Sequence, residues 1–250
     1  MDLGISGRTA LVMGASRGIG RGIAAAMARE GAKVALASRS RERLEEAAAE
    51  IDGETAVFEA DASDLDRVTE LPGEVASALG PVEMLVTNTG GPPPGGALDN
   101  PREEWEQAYR SLVLGPRVLV EAALPSMRER GWGRIVNVAS SSVREPIPHL
   151  TLSNAHRMAA VGFFKTLAAE VAPAGITVNT VATGRFATDR LASNFGSWEE
   201  MEHSAPEGIP VGRLGQPEEF GDLVAFLCSE RAAYLTGTVI PLDGGLLRSH

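Results

Sequence analysis

The chain has 250 residues, 44% of them hydrophobic, which suits one large α/β domain better than two small ones. Its formal net charge is -10, with 23 basic against 33 acidic residues and only two lysines, Lys33 and Lys165. That balance offers no basic stripe to displace counterions from a phosphate backbone and so argues against nucleic acid as a partner.

The opening segment MDLGISGRTALV lacks a basic stretch leading into an apolar core, and nowhere do about 18 apolar residues run together. The expectation is a cytoplasmic protein with no membrane partner. Cys228 is the single cysteine, which excludes an internal disulfide or a multi-cysteine metal site, and it reads as a small buried hydrophobe on a helix.

Short apolar runs recur along the chain: TALVMGA (9 to 15), KVALAS (33 to 38), TAVFEAD (55 to 61), EMLVTNT (83 to 89), RIVNVAS (134 to 140), ITVNTVA (176 to 182) and TVIPLDGG (238 to 245). Hydrophobicity that is continuous rather than alternating predicts strands buried on both faces, as in a parallel sheet. Helical patterns lie between the runs. The clearest start signal is Asn100, Pro101 and Glu103 ahead of Trp105, an N-cap with proline at the first helical position and an acid at the third. Seven strands alternating with helices predict a Rossmann-like, doubly wound, seven-stranded parallel sheet in a single domain over 1–250.

After the first strand, MGASRGIGRGIAAAMAREG places Gly14, Gly18 and Gly20 where the chain turns into a helix and its N–H groups can approach a diphosphate. Ser16, Arg17 and Ile19 lie in the same turn. At the end of the second strand, Ser38 and Arg39 stand where an acid would accept from a free ribose hydroxyl. With Arg17 they form a set suited to a 2′-phosphate, so NADPH is expected over NADH. Arg41 and Arg43 read as a solvated helix face.

The spacing Gly-x-x-x-Gly-x-Gly resembles the short-chain dehydrogenase/reductase family, as do TNTGG with Asn88 and Gly90, Ser140 at a strand end, GITVNTVATG, RLGQPEEFGDLVAFLCSE and LTGTVIPLDGG. The likeness runs from about residue 7 to residue 245 and includes the 3-oxoacyl-acyl-carrier-protein reductases, although no residue independently selects their substrate. It implies that Asp61 and Ala62 meet the adenine, that the backbone from Asn88 to Gly90 meets the ribose, and that Gly184 and Thr188 lie on the nicotinamide side. It also implies a homodimer or homotetramer, with helices of 102 to 127 and 152 to 172 at one interface.

The family's usual serine, asparagine and Tyr-x-x-x-Lys are only partly present. Ser140 matches the serine. Thirteen residues on, Ser153 stands at the tyrosine position, with Arg157 at the lysine position and Leu112 at the asparagine position; Thr183 replaces a usual proline. An aliphatic hydroxyl is far less acidic and shorter in reach than a phenol, so Ser153 does not inherit the tyrosine's work unaided. Ser153 is read either as a helix cap or as a residue that orients a proton-bearing water. Arg157 is read as a clamp on the ribose hydroxyls.

Neither tyrosine, Tyr109 or Tyr234, is an evident substitute, nor is Lys165. His149 and His156 lie close enough in sequence to serve as acids, but each also reads as a packing or surface residue; His203 and His250 read as surface residues.

The stretch from about 185 to 215 reads as a substrate lid, with Phe186, Leu191, Phe195, Trp198 and Met201 either facing substrate or packing the lid, and Arg185 and Arg190 able to attract an anion. Three functions remain open: an NADP(H)-dependent oxidoreductase acting on a carbonyl or alcohol with an altered proton relay, a dinucleotide-binding sensor or scaffold with little catalysis, and non-redox chemistry on the same fold.

Overall fold

In the computed structural model, which describes residues 1–249, seven parallel strands form one sheet. His250 lies outside the described residues. The strands are β1 (Thr9–Met13), β2 (Lys33–Ser38), β3 (Thr55–Glu59), β4 (Val82–Thr87), β5 (Gly133–Ser140), β6 (Ile176–Thr183) and β7 (Val239–Leu242), in the order β3-β2-β1-β4-β5-β6-β7. The order reverses direction between β1 and β4. A doubly wound sheet opens its crevice there, outside the carboxyl ends of the strands.

The expected strands are all present, but four end earlier than their apolar runs. β1 stops at Met13, β3 at Glu59, β4 at Thr87 and β7 at Leu242. In each case the run's last residues turn out of the sheet into the loop above it. Burial also divides the set. Every residue of β1 is buried, whereas β3 and β7 are half-buried throughout apart from exposed residues such as Glu59 and Pro241, because each is an edge strand with one neighbour. Pro241 is tolerated at such an edge.

Two helical layers cover the sheet. On one face α1 (Gly18–Arg29), α2 (Arg41–Ala49) and α9 (Pro217–Leu227) bury Ile23, Met27, Leu44, Phe220 and Val224 against Val12, Leu36 and Val136. On the other, α3 (Leu65–Leu79), α5 (Gly115–Arg130) and α6 (Thr151–Val171) bury Leu71, Val75, Leu119 and Phe164 against Leu11, Leu85 and Ile135. Alternate residues of one strand thus feed opposite cores.

The helix expected over 102 to 127 is α4 (Arg102–Tyr109), a π-helical segment over Arg110–Leu114, and α5. Its N-cap is Pro101 rather than Asn100. Asn100 instead turns its amide to the Pro94 carbonyl at 3.3 Å and to Glu104 at 2.8 Å, tying the Pro/Gly-rich loop to the helix rather than capping it.

Candidate active site

The glycine turn leaves β1 with Gly14 and Gly18 in the left-handed region, at φ 65° and 53°. A Cβ on Gly20 would stand 2.1 Å from the Gly14 carbonyl oxygen and 2.8 Å from Asn88 Nδ2, and one on Gly14 would stand 2.7 Å from the same amide nitrogen. Both positions therefore require glycine, and Asn88, just past β4, closes against the turn. Thr188 approaches from the far side: its Cγ2 is 3.2 Å from where a Cβ on Gly18 would lie. Residues read from three separate motifs thus converge on the N-terminus of α1, an anion-favouring place.

At the end of β2, Ser38 Oγ is buried without a hydrogen-bond partner, and Arg39 beside it is exposed. Asp61 holds the turn after β3 by accepting from the Ser63 N–H and hydroxyl, each at 2.8 Å. A groove of about 630 Å³ runs along this edge past Arg39, Asp61 and Asp64. Arg41 pairs with Glu45 on the solvated face of α2, as its spacing suggested.

Arg17, expected to join Ser38 and Arg39 around a 2′-phosphate, makes no bond to either among the described residues. Arg17 pairs instead with Asp189 at 3.2 Å, both side chains more than half exposed. A pair so exposed is weak and readily exchanged for a phosphate.

On the opposite side, Ser140 ends β5 in register with Thr183 at the end of β6. Ser140 Oγ accepts from the Ser142 N–H at 3.1 Å and so caps a short 3₁₀ turn, Ser141–Val143, leaving its own O–H free to donate. Thr183 Oγ1 is buried without a partner. Gly184 is fixed by its N–H to the Leu242 carbonyl at 3.0 Å.

Ser153 is not the helix cap. The cap of α6 is Leu150, and Ser153 sits inside the first turn, 8% exposed. Its Oγ accepts from Arg157 Nε at 3.2 Å, and Arg157 Nη1 donates to the Val138 carbonyl at 2.9 Å. The four-residue spacing puts both on one helix face, and the carbonyl of β5 holds the guanidinium at the sheet's end. Burial pushes the Arg157 pKa down to about 10, and the charge of Arg190 adds to the shift. Part of the side chain remains open to solvent, which screens that effect, and at neutral pH the group stays charged.

The alternative acids do not converge here. His156 is 7% exposed, its Nδ1 lies 2.7 Å from the Leu152 carbonyl, and its ring packs against Trp105 with centroids 5.2 Å apart. Lys165 Nζ is held by the Gly237 carbonyl. Tyr109 is 45% exposed and Tyr234 fully so. Leu112, in the π segment, is buried against Ala108 and Leu152. His149 is exposed with φ 59°, and its carbonyl accepts from Gly95 N–H at 2.7 Å, pinning the loop after β4 to the loop before α6.

Between β6 and α9 lie α7 (Asp189–Ala192) and α8 (Trp198–Ser204). Met201, Ala205, Ile209 and Leu214 form a small core that Leu191 and Phe195 cover, while Phe186 stacks edge-on against Phe220 at 5.3 Å. Leu191, Phe195 and Met201 thus pack the segment itself, Phe186 anchors it to the main core through α9, and Trp198 is exposed. Arg185 donates to the carbonyls of Ala205 and Glu207 at 2.8 and 2.9 Å, so it is spent on holding the segment together.

Ser38 at the end of β2 and Thr183 at the end of β6 hold buried hydroxyls with no partner among the described residues, at the carboxyl ends of strands on either side of β1 and its glycine turn. That arrangement suits a dinucleotide lying across the carboxyl ends of the strands, with polar partners for both. The pairing of Arg17 with Asp189 and the docking of Arg157 on β5 were invisible in the sequence, since each joins residues far apart in the chain.

Comparison with known proteins agrees with this geometry. A family model described as Enoyl-(Acyl carrier protein) reductase matches residues 14–247. The 3-oxoacyl-[acyl-carrier-protein] reductase FabG of Aquifex aeolicus is 33% identical over 251 residues, covering 98% of this chain and 100% of that one. Dehydrogenase/reductase SDR family member 4 of Homo sapiens is 33% identical over 245 residues, covering 96% and 88%. The crystal structure of L-sorbose reductase from Gluconobacter frateurii, complexed with NADPH and L-sorbose, has a TM-score of 0.95 at 32% identity, with both chains fully covered.

Proposed function

The chain belongs to the short-chain dehydrogenase/reductase family of NADP-dependent oxidoreductases, and from that premise we propose that it interconverts a carbonyl and an alcohol with a proton relay built on serine and arginine instead of tyrosine and lysine. The observation that carries this reading is the Arg157–Ser153 hydrogen bond, docked on β5 through the Val138 carbonyl two residues before Ser140.

Gly14, Ser16, Gly18, Ile19 and Gly20 would hold the diphosphate. Asp61, Ala62 and the backbone of Asn88 and Gly90 would hold the adenosine and the adjoining ribose. Ser38 and Arg39, joined by Arg17 once it leaves Asp189, would take the 2′-phosphate. Arg157 would hold the nicotinamide ribose, and Thr183, Gly184 and Thr188 its amide. When bound, NADPH supplies a hydride to the carbonyl carbon.

The protein's own contribution is charge stabilisation. Ser140 and Ser153 each accept an N–H, from Ser142 and Arg157, so each keeps its O–H free to donate to the carbonyl oxygen. As negative charge develops there, two hydroxyls and the cation behind Ser153 oppose it, and water ordered at Ser153 delivers the proton. The segment from about 185 to 215 acts as the lid that excludes bulk solvent. Assembly through α5 and α6 as a homo-oligomer is supported by Met158, a large apolar side chain 53% exposed on α6.

Titration with NADPH and NADH, followed by single-turnover oxidation of bound NADPH against a carbonyl panel, tests the reading. Turnover that falls in Ser153→Ala and Arg157→Ala supports the rewired relay. Tight NADPH binding without turnover on any carbonyl would replace it with the sensor or scaffold.

A further inference from the structure

Resting on that reading of the cleft, we propose that Arg190 selects carbonyl substrates carrying an anionic group, carboxylate or phosphate, near the reacting carbon.

Arg190 lies on α7 and reaches to the loop after β4, where its Nη2 donates to the Pro92 carbonyl at 3.0 Å. Gly91 makes room for it: a Cβ there would stand 2.8 Å from both Nε and Nη2 of Arg190. The guanidinium therefore lies directly on backbone, fixed by one bond, with its remaining donors free to meet a ligand in the fork geometry that suits carboxylate or phosphate.

The surrounding charges are unbalanced. Arg157 is a second cation on this side of the site, close enough for Arg190 to depress its pKa. Among the described residues neither has a carboxylate partner. Asp189, next along the helix, reaches to Arg17, and since neighbouring helical positions do not face each other its release from Arg17 would not pair it with Arg190. On the loop side, Asp99 accepts from the Gly96 N–H at 2.8 Å, and Glu104 takes the Asn100 amide. In a chain with ten more acidic than basic residues, two guanidiniums without a counter-ion mark a place for a negative ligand. Arg185, the neighbouring arginine of the segment, is already bound to two carbonyls, which leaves Arg190 as the available anchor.

The test compares each charged substrate with a neutral partner: phenylpyruvate with its methyl ester, and dihydroxyacetone phosphate with dihydroxyacetone. The wild-type protein should favour one of the charged compounds by about 10- to 100-fold in kcat/KM, and which pair shows it identifies the anion. Arg190→Gln removes the charge and, ending about where Nε stands, also the bond to the Pro92 carbonyl, whereas Arg190→Lys keeps the charge without the fork. Arg190→Gln should abolish the preference through KM, and Arg190→Lys should keep part of it.

Equal use of charged and neutral partners, or a preference that survives Arg190→Gln, overturns the proposal. If none of the four is turned over, calorimetric titration of phenylpyruvate and dihydroxyacetone phosphate into the NADP⁺ complex decides it. Binding lost in Arg190→Gln supports the site, and absence of binding with the cofactor bound overturns it. Failure to bind NADPH at all would overturn the underlying cofactor reading as well.

Discussion

Replacing Ser153 by alanine is the sharpest test of the relay. The side chain is 8% exposed, and its hydroxyl makes one bond, from Arg157 Nε at 3.2 Å. Removing one preorganised donor to a developing oxyanion costs roughly 10²–10³ in kcat, or about 2.7–4 kcal/mol. Ser140 remains as a second donor, so the loss should fall near the lower end, about 10²-fold. Arg157 keeps its 2.9 Å bond to the Val138 carbonyl, so NADPH affinity should change by less than about threefold.

Stability should also change little. The lost hydrogen bond is worth about 1 kcal/mol, and alanine returns about half of that in helix propensity, leaving a Tm shift of about 2 °C. Stopped-flow oxidation of bound NADPH measures the rate, and fluorescence titration measures the affinity. The Ser140→Ala/Ser153→Ala double variant should lose less than the product of the single effects, as expected of groups acting on one oxygen. A fall in rate of under about threefold, or one matched by an equal loss of NADPH affinity, would refute the two-hydroxyl clamp.

Ser38→Asp sets a carboxylate where the 2′-phosphate would sit; NADPH affinity should drop at least about tenfold and NADH affinity rise, and unchanged discrimination would remove Ser38 from the cofactor site. Gly20→Ala forces a Cβ within 2.1 Å of the Gly14 carbonyl, so calorimetry should show NADPH binding lost in a protein that keeps its circular dichroism; retained affinity would contradict the packing of the turn. The Cys228 thiol is fully buried and pushed up to about 12 by that burial, so Ellman's reagent at pH 8 should label the protein only after denaturation; rapid native labelling would show that α9 opens readily.

Glu219 is held down to about 2 by its bonds from Arg213 and the Gln216 N–H. A depressed acid stabilises above its ordinary 4.5, and that contribution fades as pH falls from there towards 2. Because the pair is largely exposed, Glu219→Gln should lower the Tm by only a degree or two at pH 7 and by nothing near pH 2; an equal difference at both would assign the effect to packing.

The glycine turn, the seven apolar runs and the places of Ser140, Ser153 and Arg157 were legible in the sequence, because each is a local pattern of spacing or residue type. Where reading failed, the cause was a partner distant in the chain. The pairing of Arg17 with Asp189 had no local signal, because the two stand 172 residues apart. Asn100 looked like a cap, but the fold turned its amide to Pro94 and Glu104, and Pro101 occupies the N-cap position without a side-chain capping bond. His156 did pack locally, as one of its two readings had it, with its ring against Trp105 and the Leu152 carbonyl. The lid aromatics were ambiguous because period and composition do not say which neighbours a side chain meets.

The sequence by itself determined the parallel sheet and the phosphate turn, since continuous apolar runs bury both faces of a strand and only glycine fits the left-handed turn at Gly14 and Gly18. It also determined that no tyrosine stands thirteen residues after Ser140. Only the tertiary structure decided what the replacements do. The register of β5 with β6 sets Ser140 beside Thr183, and the Val138 carbonyl holds Arg157 against Ser153. The Pro92 carbonyl likewise fixes Arg190 over Gly91. Hydrogen bonds between segments dozens of residues apart have no signature in local sequence, because they depend on how the sheet and its two helical layers bring those segments together.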